Sequence, residues 1–160
     1  MSKASKIYVL NGPNLNLLGD REPDIYGNVS LKDIEKSLSN YGKENNSEIY
    51  FKQTNHEGEL IEFVHEASKK ANAIIINPAG YSHTSVALLD ALLTVKIPII
   101  EVHISNIFKR EDFRHNSYVS KAAIGVISGL GIEGYLYAVS YTHLRAHETV
   151  LDLVCRLLLE

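Results

Sequence analysis

Five short apolar runs, most of them followed by a helical pattern, limit what this chain can become. KIYVLN (6–11), EIYFKQT (48–54), ANAIIINP (71–78), PIIEVHIS (98–105) and AAIGVIS (122–128) are rich in Ile and Val and bounded by turn residues. Runs of that kind fit strands covered on both faces, as in a parallel sheet. Between them, SLKDIEKSLSNYGKE opens on Ser30, a good N-cap, and sets Leu31, Ile34 and Leu38 on one stripe. GELIEFVHEASKK does the same with Leu60, Phe63, Val64 and Ala67. Strands alternating with helices predict right-handed βαβ units. The expected fold class is α/β, a three-layer sandwich of flavodoxin-like size around a five-stranded parallel sheet.

The 160 residues suit one domain with a proper core, and no repeat, low-complexity tract or linker divides them. A formal charge of −3 gives no electrostatic reason to expect nucleic acid or an acidic membrane. The single cysteine, Cys155, fits a reducing compartment. IYVL is too short for a signal-peptide core, and no run approaches a membrane span. The expectation is a soluble, cytoplasmic protein.

The helix SVALLDALLTV (85–95) is apolar nearly all round, through Val86, Leu88, Leu89, Leu92, Leu93 and Val95. One sheet face covers only one side of a helix, so the remaining cover is expected from another subunit. Asp90 sits amid that surface, either on an exposed rim or as an interface carboxylate reaching a polar site next door.

Ligands of open α/β sheets bind beyond the carboxyl ends of the strands. Those ends carry Asn11 and Asn14, Asn77 with PAGYSHTS and its His83, then Glu101, His103, Ser105 and Asn106. Glu101 and His103, two residues apart, project from one strand face. They form either a general acid held by a carboxylate or a buried, satisfied pair without catalytic duty. A turn at Ile104–Ser105 would offer backbone N–H groups to an anion. His83 precedes a helix that Ser82, Thr84 or Ser85 would cap. It either meets an anionic ligand there or is a solvated loop residue.

NGPNLNLLGDREPDIYG (11–27) is too long and too punctuated for an ordinary connection. It carries Arg21 and Tyr26, and a guanidinium beside a phenol favours the phenolate. The alternatives are a lid carrying a tuned tyrosine base and a surface Arg with a packed Tyr. Arg114 in FKREDFRHN is a further cation, facing substrate or solvent. GLGIEG (129–134) matches a dinucleotide pattern, but it follows the last strand without a further βαβ unit and reads as a tight turn. His83, His103, Glu101 and Asp90 lack any local metal-ligand spacing. Lys96 and Lys121 sit at strand entrances, away from the polar ends, which argues against a Schiff base.

Taken in order, NGPNLNLLGDREPDIYG, QTNHEGELIEFVHEA, INPAGYSHTSVALLDAL, IIEVHISNIFKREDFRHNS and GVISGLGIEGYLYA resemble the type II 3-dehydroquinate dehydratases over Ile7 to Val139. The resemblance implies anti elimination of water from 3-dehydroquinate to 3-dehydroshikimate through an enolate, in the shikimate pathway or in quinate breakdown. It implies no cofactor, no metal and no Schiff base. Tyr26 would be the base, Arg21 its phenolate partner, Asn14 a support for the enolate oxygen, and His103 the acid oriented by Glu101. Asn77, His83, Ile104, Ser105 and Arg114 match substrate-binding positions. Asp90 matches a residue supplied by a neighbouring subunit, in a homododecamer built from trimers with a flavodoxin-like fold.

The implied domain is 1–139, and SYTHLRAHETVLDLVCRLLLE (140–160) departs from the family pattern. Leu144, Leu151, Val154 and Leu158 give it a helical stripe, but it reads as a non-native extension without chemistry. Two rivals share the fold: a non-catalytic anion-binding module, and an FMN protein, for which the first loop lacks a Ser/Thr-Gly phosphate cradle.

Overall fold

Strands β1 (Ser5–Asn11), β2 (Ser47–Gln53), β3 (Ala73–Asn77), β4 (Ile99–His103) and β5 (Gly125–Ser128) pair in parallel, in the order β2-β1-β3-β4-β5. That is the flavodoxin-like order, seen here in a computed structural model that describes residues 3–20, 24 and 27–159, with side chains described as far as residue 146. Helices α1 (Leu31–Glu44) and α4 (Glu133–Leu159) cover one sheet face, and α2 (Glu57–Lys70) and α3 (Val86–Leu93) cover the other.

The period of two in each strand divides the core. Ile7, Val9, Ile75, Ile100 and Val102 point to the α1/α4 side, where Ile34, Leu38, Ala138 and Val139 meet them. Tyr8, Leu10, Ile74, Ile76 and Ile99 point to the α2/α3 side, against Leu60, Val64, Leu88 and Leu92. Burying each such side chain is worth about 1.5–3 kcal/mol. Ser30 caps α1 as predicted. Its Oγ accepts from the Asp33 N–H at 3.2 Å, and Asp33 Oδ2 accepts from the Ser30 N–H at 2.9 Å. Ser85, rather than Ser82 or Thr84, caps α3, through the Leu88 N–H at 2.9 Å.

Burial on both faces holds for β1, β3 and β4 but not at the sheet edges. Ile124 is 47% exposed and Val126 46%, so β5 and the residue before it are left half open among the described residues. On α3 the sheet covers Leu88, Leu89, Ala91 and Leu92, while Val86, Asp90 and Leu93 remain exposed. α4 does not stop where the predicted domain does; it runs on to Leu159. Among the described residues, no helix is long and apolar enough to cross a membrane.

Candidate active site

The same period of two places polar side chains on both faces of the sheet at its carboxyl end. Asn11 and Asn77 continue the α1/α4 face of Val9 and Ile75, where Tyr135 of α4 reaches them. The Tyr135 hydroxyl donates to Asn11 Oδ1 at 2.7 Å and accepts from Asn77 Nδ2 at 2.9 Å. Burial drives the Tyr135 pKa well above the ordinary phenol range, which keeps it a neutral hydroxyl that can donate and accept. Asn77 Oδ1 in turn accepts from the Ala79 N–H at 3.2 Å. The two strand ends also approach closely through backbone. The Gly12 N–H donates to Asn77 O at 2.8 Å, and a Cβ on Gly12 would stand 2.5 Å from Pro78 O.

Glu101 and His103 continue the opposite face, that of Ile99. Both are buried, and His103 Nε2 lies 2.7 Å from Glu101 Oε1. Ser117 donates to Oε1 at 2.5 Å and Ser120 donates to Oε2. Burial opposes the charge on Glu101, but the hydrogen bonds from His103, Ser117 and Ser120 outweigh it and hold the carboxyl below its usual range. A carboxylate only accepts, so Nε2 carries a proton and Nδ1 is the nitrogen left for other work. Every buried side-chain nitrogen and oxygen among the described residues has a partner, and Nδ1 has none among those residues. It therefore opens onto the adjoining cavity.

That cavity, about 210 Å³, lies beyond β1, β3 and β4 and is lined by Asn14, Asn77, His83, His103, Ile104, Ser105, Arg110 and Arg114, with Leu15, Leu18 and Ile107 as its apolar wall. Asn14 adopts a left-handed backbone, φ 66°, which Asn tolerates, and its N–H is anchored on Asn55 Oδ1 at 2.9 Å. His83 Nδ1 donates to Asn116 O at 2.9 Å. Burial, followed by the charges of His103 and Arg114, depresses its pKa despite that bond, and so favours the neutral ring. Arg114 Nε donates to Glu111 Oε2 at 2.7 Å, and Arg110 reaches Ser105 Oγ at 3.5 Å. GLGIEG is a strand-to-helix turn, as its position implied. Gly129 (φ +85°) packs against Asn106, and the Gly131 N–H holds Ile104 O at 3.0 Å.

The structure thus assembles Asn14, Asn77, His83, Glu101, His103, Ile104, Ser105 and Arg114 at one place. Asp90 stands apart, exposed on α3 and absent from this cavity's lining. Arg21 and Tyr26 lie outside the described residues. Sequence reasoning gave no role to Arg110, Ser117, Ser120 or Tyr135. Arg110 stands four residues before Arg114, a spacing that could have flagged it. Among the described residues no group of three or more His, Cys, Asp or Glu side chains could hold a metal.

The Dehydroquinase class II family profile matches residues 5–143. The chain belongs to the class II dehydroquinases. A curated relative, the 3-dehydroquinate dehydratase of Endomicrobium trichonymphae, is 56% identical over 133 residues, covering 83% of this chain and 93% of its own. The Idiomarina loihiensis protein of the same name is 57% identical over 139 residues, 86% of this chain and 91% of its own. The crystal structure of the type II dehydroquinase from Propionibacterium acnes superposes with a TM-score of 0.85 at 45% identity, over 90% of this chain and 98% of that one. By class, this dehydroquinase is a hydro-lyase, and its matched segment ends inside α4, with the helix continuing beyond it.

Proposed function

We propose that this dehydroquinase removes water from 3-dehydroquinate to give 3-dehydroshikimate, by anti elimination through an enolate and without metal or Schiff base. Tyr26, as phenolate beside Arg21, takes the proton next to the ketone. The electron pair moves onto the ketone oxygen, supported by Asn14. The enolate then expels the hydroxyl, which leaves as water on receiving a proton from His103, held by Glu101. Asn77, His83, Ser105 and the backbone at Ile104 hold the hydroxyls and the carboxylate, with Arg114 supplying charge. The observation that carries this reading is the buried Glu101–His103 pair, whose free ring nitrogen opens onto a cavity of substrate size. The shikimate route and quinate breakdown both use this elimination.

The same reading makes the working form a homododecamer built from trimers, with α3 at an interface and Asp90 lent to a neighbour's site. It places the chemistry in residues 1–139 and none in 140–160.

Ultraviolet absorbance of the conjugated enone formed from 3-dehydroquinate tests the proposal. Turnover should survive a chelator and borohydride, and Tyr26→Phe should lower it by about 10²-fold or more with substrate still bound. Loss of activity on chelation, or irreversible trapping by hydride, would sink the mechanism. Binding without any turnover would favour the anion-binding module.

A further inference from the structure

We propose that Ser117 and Ser120 are positioning residues for the elimination, a hydroxyl clamp that keeps Glu101 ionised and fixes which nitrogen of His103 handles the proton. The inference rests on the acid role proposed for His103. Glu101 has nowhere to find water: it is fully buried, and its registered neighbours on β3 and β5 are Ile76 and Val126. An ionised carboxylate in such a place needs several donors. It has three: His103 Nε2 at 2.7 Å and Ser117 at 2.5 Å on Oε1, and Ser120 on Oε2.

With both oxygens occupied, the carboxylate cannot rotate away from the imidazole. With the charge retained, the Nε2 proton is permanent. The proton that turns over is then carried on Nδ1, at the cavity wall. The serines sit on one segment that also steadies the rest of the site. Asn116 O accepts from His83 Nδ1 at 2.9 Å, and the Tyr118 N–H donates to Ser82 O at 2.8 Å. The ionisable groups around Glu101 are His103 on its own strand and His83 from the helical turn Tyr81–Thr84, itself influenced by Arg114. Lys121, next to Ser120, lies over the Tyr118 ring instead, 5.9 Å from its centroid.

Removing a donor lets Glu101 take a proton at higher pH, so activity must fail earlier as pH drops. Ser117→Ala and Ser120→Ala should each lower kcat about tenfold with KM little changed. Each should move the acid limb of kcat/KM upward by about one pH unit, and the double variant should move it further. Ser120→Thr, which keeps the hydroxyl, should restore the wild-type profile. A merely structural serine would lower the melting temperature without moving the acid limb. Folded alanine variants with wild-type kcat and an unmoved limb overturn the clamp, provided His103→Ala is inactive in the same assay. Turnover retained by His103→Ala overturns the acid assignment, and the clamp with it. If the double variant does not fold, the single variants decide.

Discussion

Glu66 shows how a single residue can tie a helix to the sheet. From α2 it meets Lys52 of β2, Lys70 one helical turn on at 3.2 Å, and the buried hydroxyl of Tyr8 at 3.1 Å. The bonds from Lys52 and Lys70, ahead of the smaller contribution of Tyr8, bring its pKa down to about 2. A carboxyl lowered in the folded state from its usual ~4.3 adds stability that is complete above about pH 5. That contribution drains away as pH falls toward the folded value. Glu66→Gln should therefore melt at lower temperature than wild type near neutrality, and the gap should begin to narrow near pH 5 and close only as pH falls through about 2. Melting curves recorded across that range check the sign, and a constant offset would remove the linkage. At this scale the shared face of Glu101 and His103 was legible from the letters of their strand, because two residues spaced by two must share a face. The two serine partners of Glu101 were not, because they stand 16 and 19 residues away in sequence and only the fold brings them back.

At the scale of elements, α4 does more than cover the sheet. Tyr135 passes a hydrogen-bond chain from that helix to the ends of β1 and β3, whose following segments carry Asn14 and His83. Tyr135→Phe keeps the ring but leaves Asn11 Oδ1 and Asn77 Nδ2 without their shared partner. It should cost about 1–3 kcal/mol of stability by denaturant unfolding, and it should raise KM more than it lowers kcat, since Asn77 is assigned to binding. An unchanged KM would uncouple α4 from the site. Helix and strand identities were readable from period and caps, and Ser30 is the plain example. The strand ends were less so. Residues 122–124 read as strand but are preceded by the turn Val119–Lys121, and pairing begins only at Gly125. An Ala-Ala-Ile stretch gives no stop signal of its own; the register with Ile100 sets the start.

For the whole molecule, the exposed apolar surface is the informative quantity. Val86 is 53% and Leu93 58% exposed on the one helix whose sequence is apolar nearly all round. Single exposed leucines are ordinary, but the proposed dodecamer needs an interface, and this helix face is where the proposal puts it. Leu93→Asp should shift the assembly to smaller species by light scattering, with reduced turnover if Asp90 serves a neighbouring site. An unchanged mass would take α3 out of the interface. The all-apolar pattern of this helix was visible in the sequence, whereas the edge exposure of β5 was not, because a strand's letters do not say whether it ends the sheet.

The strand order carries a last consequence, for how the molecule is made. β1 lies between β2 and β3, so the earliest strand of the sheet depends on two strands that are synthesised after it. Ser5–Asn11 has no pairing partner until Ser47–Gln53 has been synthesised, and its second side stays bare until Ala73–Asn77 follows. β4 and β5 arrive afterwards on a template already half laid. The vulnerable interval is therefore the one between the synthesis of β1 and that of β3, while an apolar strand lacks one or both of its neighbours.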